Sequence, residues 1–199
     1  AHLAEPDASR GDKVDLWPAG KLLGGSSSIN GMLFVRGARA DFDGWAAAGN
    51  PGWSFADLLP YFRRLENSPV GGQWRGSLGP LHVGPLRSTH PLGEAFVEAA
   101  VAAGLPANPD YNGETQEGAS APQVTQHKGA RWSAARAYLG AASRRPNLEI
   151  VTGAEVQRII VEEGRATGVR YRRGNRELTA TAGEIVLSAG ALASPKLLM

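Results

Sequence analysis

The amino-acid sequence predicts a mixed α/β fold, and three patterns along the chain predict it. Apolar residues recur at helical spacing over 92–103, apolar and polar residues alternate over 169–182, and 184–189 is a nearly unbroken apolar run. The first pattern is typical of an amphipathic helix, the second of half-buried strands, and the third of a strand covered on both faces. The 199 residues suffice for one domain with a core, or for parts of two.

The first predicted helix follows Ser54, which is a plausible N-cap because Asp57 lies three positions later. Apolar residues then recur on one side as far as Leu65. Pro60 lies inside this stretch and should kink the helix or make it restart, because proline has no N–H to donate to the preceding turn.

Two more helices are predicted further along the chain. Pro91 suits the first turn of the helix over 92–103, and Gly104 suits its end. The other helix should start near Ser133 and end before Pro146. The segments between the helices are rich in Gly and Pro and indicate connections, with one short strand at 81–83.

The last third of the chain predicts strands. From Leu148 on, alternating residues and two turns, Glu163-Gly164 and Gly174-Asn175, predict a three-stranded antiparallel meander. Residues 184–189 predict a further, buried strand.

Composition and charge exclude several classes of function. The net charge is only +2 and acidic and basic residues are interleaved, whereas a nucleic-acid-binding protein would show a clustered basic face. We therefore expect no nucleic-acid partner. No apolar run reaches the length of a membrane span, so we expect no transmembrane segment. The chain has no cysteine, and its four histidines lack metal-ligand spacing, so we expect no metal site.

The most distinctive local feature is the Gly/Ser-rich segment 20–31, Gly20-Lys21-Leu22-Leu23-Gly24-Gly25-Ser26-Ser27-Ser28-Ile29-Asn30-Gly31. Paired glycines allow positive φ and close approach of a ligand to the backbone, and successive N–H groups can form a nest that binds an anion. By itself such a segment is equally typical of a flexible loop. Apolar residues on both sides of it favour a loop packed against something.

The segment also resembles the first signature block of the glucose–methanol–choline (GMC) oxidoreductases. That block continues here with Arg36-Gly37, Asp41-Phe42-Asp43-Gly44-Trp45, Gly52-Trp53 and Leu59-Pro60-Tyr61-Phe62. Residues 190–198 resemble the second signature block, and 129–135, 145–148 and 168–169 follow the family pattern in order. Within the family, the residues of these motifs are most similar to the choline-dehydrogenase-like branch. The resemblance covers the chain from about Leu16 on.

The resemblance implies part of a Rossmann-like FAD-binding domain with an antiparallel β-meander, plus part of the substrate domain. Residues 1–67 would hold the flavin loop, 68–130 the connecting, substrate-side portion, and 131–199 the helix, meander and buried strand of the FAD-binding domain. The family's G-x-G-x-x-G motif would lie upstream of this chain and its catalytic histidine downstream. Ala1-His2-Leu3 and Met199, inside a helix just begun, are accordingly interpreted as truncations.

The resemblance also implies which residues approach the FAD, and none of them is catalytic. They are Gly24, Gly25, Ser26, Asn30, Gly31, Met32 and Leu33 beside the isoalloxazine ring, Val156 at the adenine half, and Ala189 and Gly190. Some family members attach FAD through a histidine shortly before the paired glycines. Trp17-Pro18-Ala19-Gly20 stands there in this chain, so FAD should be bound non-covalently.

The implied function is oxidation of a small-molecule alcohol by hydride transfer to the flavin, with oxygen or a quinone as electron acceptor. Two alternatives stay open at this point. Some family members are FAD-containing lyases, and the chain by itself could be a non-catalytic α/β fragment that binds no flavin. Because the catalytic histidine is expected outside the chain, we expect the 199 residues alone to be inactive.

Overall fold

The computed structural model describes residues 2–199, which form two compact units. One unit ends at Arg145, and the other comprises Pro146–Met199. The mixed α/β class predicted from the sequence is confirmed, since helices and small, mostly antiparallel sheets occur together. These two units do not test the predicted domains. The assignment of 1–67 and 131–199 to the FAD-binding domain and of 68–130 to the substrate side stays a prediction.

Within residues 2–145, four α-helices occur together with pairs of very short strands. The helices are α1 (Arg39–Ala47), α2 (Phe55–Leu65), α3 (Pro91–Ala102) and α4 (Gly140–Ala142). The strand pairs are β1 (His2–Leu3) with β2 (Leu16–Trp17), β3 (Glu66–Asn67) with β4 (Leu81–His82), β5 (Gly84–Pro85) with β6 (Gln123–Val124), and β7 (Gln126–His127) with β8 (Ala130–Arg131). Several of these strands lie in segments that the sequence indicates as loops, because two-residue strands leave no alternation to detect.

Helix α2 begins where the sequence predicts. The Asp57 N–H donates to Ser54 Oγ at 3.2 Å, and the Asp57 carboxylate accepts from the Ser54 N–H at 3.3 Å, so the two residues cap the helix reciprocally. The helix runs through Pro60 without restarting. Its aromatic residues Phe55 and Phe62 pack on Phe42 of α1 and form the core between the two helices.

Helix α3 also lies where the periodicity predicts, with Pro91 in its first turn and Gly104 just after it, at a φ of 101°. Its apolar side chains are exposed, however: Leu92 is 73% and Phe96 76% accessible. The helix predicted from near Ser133 is present as one turn of π-helix, Ala135–Leu139, that continues into α4.

The second unit is built on the predicted antiparallel meander. Strands β9 (Ala154–Glu162), β10 (Arg165–Arg173) and β11 (Arg176–Thr181) form a sheet in the order β11-β10-β9. The turns Glu163-Gly164 and Gly174-Asn175 join them, with positive φ at Glu163, Gly164 and Gly174. Helix α5 (Ala193–Leu198) follows and contacts β9.

The prediction of a buried strand at 184–189 is wrong for this structure. These residues are irregular, and the Val186 side chain is 81% accessible. A strand needs a hydrogen-bonded neighbour, and none of the described strands pairs with this segment. An apolar run alone therefore does not make a strand.

Within residues 2–199, no helix combines the length and the hydropathy that crossing a bilayer requires.

Candidate flavin-contacting loop

The Gly/Ser-rich segment forms a tight, internally bonded turn. Gly24 and Gly25 adopt φ values of 89° and 52°, in the left-handed region that favours glycine, and Gly25–Ser28 forms one turn of 3₁₀-helix. The Gly25 N–H donates to Leu22 O at 2.9 Å, and Ser28 Oγ donates to Leu23 O at 2.9 Å. Met32 follows with a φ of 64°, which is uncommon for a residue with a side chain. The segment is therefore a defined loop and not a flexible linker.

Backbone hydrogen bonds attach the end of this loop to residues 123–125. The Thr125 N–H donates to Met32 O at 2.8 Å, and the Phe34 N–H donates to Gln123 O at 2.9 Å. Leu33 forms an antiparallel bridge with Val124, whose side chain is fully buried. The loop thus rests on a strand from a distant part of the sequence.

Residues 131–134 hold the other side of the loop. Arg131 Nη1 donates to Ser27 O at 3.1 Å and to Asn30 Oδ1 at 2.8 Å. The Ala134 N–H donates to Ser27 Oγ at 2.9 Å. These bonds connect the turn to the start of the helix at Ala135, so the two segments that resemble the family pattern meet in space.

The four glycines of the loop differ in what surrounds them, and a Cβ on Gly31 would meet no atom of the described residues within 4 Å. A Cβ on Gly20 would lie 2.2 Å from Gly25 O, and a Cβ on Gly24 would lie 2.4 Å from Ser28 Oγ. These two glycines are required by the packing of the loop itself. A Cβ on Gly25 meets no atom of the described residues within 4 Å, so the backbone there faces open space.

The surroundings of the loop fit a large, mostly apolar ligand such as the flavin of FAD. Ser26 and Asn30 are exposed polar residues of the loop, and four of its apolar side chains are about half exposed or more: Leu22, Leu23, Ile29 and Leu33. A fixed backbone with an open glycine and apolar flanks is typical of sites where a planar ring approaches the main chain.

A buried cluster of charged residues supports the chain just after the loop. Glu66 is inaccessible to solvent and accepts from Arg36 Nη2 at 2.7 Å, from Arg75 Nε at 2.9 Å and from the Gly76 N–H at 2.7 Å. Arg75 also donates to Asp110, so the two arginines face two carboxylates.

Asn112 links this cluster to the segment that carries the loop. Its side chain donates to Phe34 O at 3.0 Å and accepts from the Arg36 N–H at 2.7 Å. Burial lowers the pKa of the Arg36 guanidinium, which the neighbouring Glu66 charge opposes, and burial raises the pKa of Tyr111. In the sequence, Arg36 stands out only as part of a motif, and no local pattern marks Glu66, Arg75 and Asp110 as its partners.

The predicted FAD-contacting residues fall into both units. Gly24, Gly25, Ser26, Asn30, Gly31, Met32 and Leu33 lie together in the loop described above. In the second unit, Val156 lies in β9 opposite Tyr171 of β10. Ala189 and Gly190 lie a few residues before α5; the Ala189 N–H donates to Ser194 Oγ at 3.1 Å, and Gly190 has a φ of 89°. Their contacts with FAD stay predictions.

The structure brings together two histidines that the sequence leaves far apart. The rings of His82 and His127 are stacked with centroids 3.8 Å apart, and Trp132 packs edge-on against both. Burial lowers the pKa of His82, and the adjacent His127 lowers it further. Across residues 2–199, no three His, Cys, Asp or Glu side chains are grouped as a metal ion would need.

Known proteins resemble the chain in both sequence and structure. Oxygen-dependent choline dehydrogenases from Rhizobium johnstonii and Brucella ovis are each 49% identical, over 200 and 198 residues that cover 100% and 98% of this chain. In each case the match covers 36% of the relative, so the chain spans about a third of the length of these curated relatives.

Two solved structures superpose on almost the whole chain. Pyridoxine 4-oxidase from Mesorbium loti has a TM-score of 0.90 at 35% identity, and the match covers 99% of this chain and 40% of that protein. An FAD-dependent oxidoreductase from Chaetomium thermophilum has a TM-score of 0.91 at 30% identity, over 100% of this chain and 37% of that one.

These similarities confirm the choline-dehydrogenase-like resemblance that the sequence motifs indicate. They also confirm FAD as the cofactor that goes with this fold. The sequence model of the family described as GMC oxidoreductase matches residues 8–199. The chain therefore belongs to the GMC oxidoreductase family.

Proposed function

We propose that this chain contributes the flavin-contacting loop to an FAD-dependent enzyme that oxidises an alcohol at a CH–OH group by hydride transfer. The observation that supports this most directly is the loop itself. Gly24 and Gly25 hold it in a left-handed conformation, hydrogen bonds from 125–134 fix it, and the backbone at Gly25 is open to a ligand.

In this proposal, residues 24–33 hold and orient the isoalloxazine ring. Asn30 and the backbone N–H groups of the loop are the donors for its polar edge, while Met32 and Leu33 supply apolar contact. Val156, Ala189 and Gly190 contribute from the second unit, Val156 through its backbone. When bound, FAD would supply the redox chemistry, as the acceptor of the hydride. The proton of the alcohol goes to a histidine that the family resemblance places outside this chain.

The choice of substrate to test first follows from the relatives. Those quoted above are named oxygen-dependent choline dehydrogenases, and this chain is 49% identical to two of them. We propose choline as the first alcohol to assay and oxygen as the first acceptor, with a quinone as the alternative acceptor. We further propose that residues 1–67 and 131–199 belong to the FAD-binding domain and 68–130 to the substrate side.

The test uses the intact protein purified without added flavin. We expect a yellow protein whose flavin absorption is bleached by an alcohol under anaerobic conditions. Acid precipitation should release the flavin into the supernatant, because Trp17-Pro18-Ala19-Gly20 stands shortly before the paired glycines, where some family members have the histidine that binds FAD covalently. Flavin that stays in the precipitate would contradict non-covalent binding.

A lyase of the same family would also be yellow, but no alcohol would bleach its flavin. Alcohols of several classes, choline among them, should be tested with a redox dye as acceptor. If the protein carries FAD and none of the alcohols reduces it, the oxidoreductase proposal fails. A protein that is folded and cannot be loaded with FAD would overturn the assignment of the loop as well.

A further inference from the structure

The side-chain amide of Asn30 is held in one orientation by two donors. Its Oδ1 atom accepts from Arg131 Nη1 at 2.8 Å and from the Met32 N–H at 3.1 Å. An amide has a single acceptor oxygen, so two donors on one side identify that side as the oxygen and leave the NH₂ group on the other. Among residues 2–199, the Asn30 NH₂ group donates to no hydrogen-bond acceptor. Asn30 therefore presents a pair of unused N–H donors, and its own side chain is exposed.

Arg131 fixes the loop at two points with one nitrogen. The same Nη1 atom that contacts Asn30 donates to Ser27 O, at the end of the turn that starts with the paired glycines. Ser27 Oγ in turn donates to Gly24 O at 2.5 Å and accepts from the Ala134 N–H. Arg131 lies in β8, about a hundred residues from the loop in sequence, so this contact is made only by the tertiary fold.

Arg131 also brings a charge that no acidic side chain offsets directly. None of the ion pairs among the described residues includes Arg131, in contrast to Arg36 and Arg75, which are paired with carboxylates. A guanidinium stays protonated at any physiological pH. A cation that donates to an amide oxygen polarises the amide, which makes the N–H groups on its other side stronger donors.

We propose that Arg131 is a positioning residue for the flavin: it orients the Asn30 amide and strengthens its NH₂ group as a hydrogen-bond donor to the ring. This inference rests on the proposed function, because it assumes that Asn30 faces the flavin. Arg131 lies in the motif at 129–135, and the resemblance by itself gives it no role at the flavin. Arg131 acts through Asn30 and is not itself a catalytic residue.

Four variants of the intact protein test the proposal. Arg131→Met removes the donor and the charge, while Arg131→Gln keeps a neutral donor. Asn30→Asp keeps an acceptor for Arg131 and removes the NH₂ group. Arg170→Met is the matched control, since Arg170 lies in the other unit, in an exposed ion pair with Glu177. For each variant we would measure the melting temperature of the apoprotein, the FAD dissociation constant and the visible spectrum of the bound flavin.

The proposal predicts a shared change in the flavin. Arg131→Met and Asn30→Asp should each weaken FAD binding by about tenfold, the size of one charge-assisted hydrogen bond, and should shift the flavin absorption bands in the same way. Arg131→Gln should fall between Arg131→Met and the wild type, and Arg170→Met should match the wild type.

Three results would overturn the inference. Wild-type spectrum and affinity in folded Arg131→Met would show that Arg131 does not act on the flavin, and if Arg131→Met does not fold, the same result in Arg131→Gln would show it. Wild-type properties in Asn30→Asp would show that the amide is not the donor. A lowered apoprotein melting temperature with an unchanged flavin spectrum would assign Arg131 a purely structural role. Failure of the proposed function is distinguishable in both of its forms. If the loop is not a flavin site, the wild type and Arg170→Met bind no FAD; if only alcohol oxidation fails, the wild type still binds FAD and the comparison of the variants is unaffected.

Discussion

Gly25 combines a left-handed backbone conformation with open space beside its Cα atom, where a ligand could approach. We predict that Gly25→Val in the intact protein abolishes FAD binding. Valine would be strained at a φ of 52°, and its side chain would enter the open space beside the loop. Absorbance at the flavin bands after purification measures the FAD content directly.

The control for Gly25→Val is Ser9→Ala, in an exposed turn where Ser9 Oγ donates only to Asp7. Surface changes of this kind usually alter stability by no more than about 0.5 kcal/mol, so FAD content should stay that of the wild type. Circular dichroism and a melting curve of the apoprotein separate loss of FAD from unfolding. A folded Gly25→Val protein with a full complement of FAD would show that the flavin does not lie at this loop.

Glu66 is the residue whose loss should cost the most stability. It is fully buried between Arg36 and Arg75, so Glu66→Gln would leave two buried guanidinium groups without their shared counter-charge. Removing one partner of a buried ion pair typically costs about 3–5 kcal/mol. Urea unfolding of the intact protein should show a loss of this order.

Glu177→Gln is the matched control, because Glu177 forms an exposed ion pair with Arg170 at 3.4 Å. Exposed pairs contribute at most about 1 kcal/mol. Equal losses for Glu66→Gln and Glu177→Gln would mean that the buried cluster does not stabilise the fold. The Glu66 cluster could not be predicted from the sequence, because Arg36 lies 30 residues from Glu66, and Arg75 lies 35 from Asp110.

At the scale of helices and strands, the sequence predicts what local interactions determine. Ser54 and Asp57 cap α2 across three residues, and Glu163-Gly164 supplies the positive φ values of the first meander turn. The predicted strand at 184–189 is absent, because a strand must pair with a neighbouring strand and no local sequence pattern specifies that neighbour. The glycines of the Gly/Ser-rich loop mark it in the sequence, whereas its attachment to Arg131 and Thr125 depends on contacts about a hundred residues away in sequence.

The contact between β4 and β7 should make stability depend on pH. Burial, and secondarily the charge on His127, lowers the pKa of His82 below its ordinary value of 6.5. Between the folded pKa and 6.5 the unfolded chain binds more protons, so His82 contributes stability above about pH 6.5 that is lost as the pH falls through this window. We predict that the wild type loses more stability than His82→Gln between about pH 7.5 and about pH 5.5.

His127→Gln provides the comparison for this prediction. Because desolvation is the larger cause of the His82 shift, His127→Gln should keep most of the pH dependence that His82→Gln removes. Melting temperatures measured across the same pH range decide this. If the melting temperature of both variants is equally independent of pH, the pKa shift of His82 is due to repulsion within the stacked pair. If His82→Gln keeps the pH dependence of the wild type, His82 is not the group that causes it.

At the scale of the whole molecule, apolar surface is exposed where the sequence predicts burial. Phe96 and Leu92 on α3 and Val186 before α5 are each more than 70% accessible. Periodicity predicts which face of an element is apolar, but it does not say which part of a protein covers that face. The match to the curated relatives extends over only 36% of their length, so the activity that we propose belongs to the intact protein.

The last prediction is that the 199-residue chain alone, supplied with FAD, oxidises no alcohol. The family resemblance places the histidine base outside these residues, and general base catalysis contributes about 10²–10⁴-fold to a rate. The four histidines of the chain have other surroundings: His2 is exposed in β1, His82 and His127 stack on one another, and His90 accepts from the Leu92 N–H at the start of α3. Dye reduction with choline and other alcohols, run beside the intact protein at equal flavin concentration, measures the difference. Turnover by the 199 residues would mean that a group within them takes the proton, and each histidine would then have to be replaced in turn.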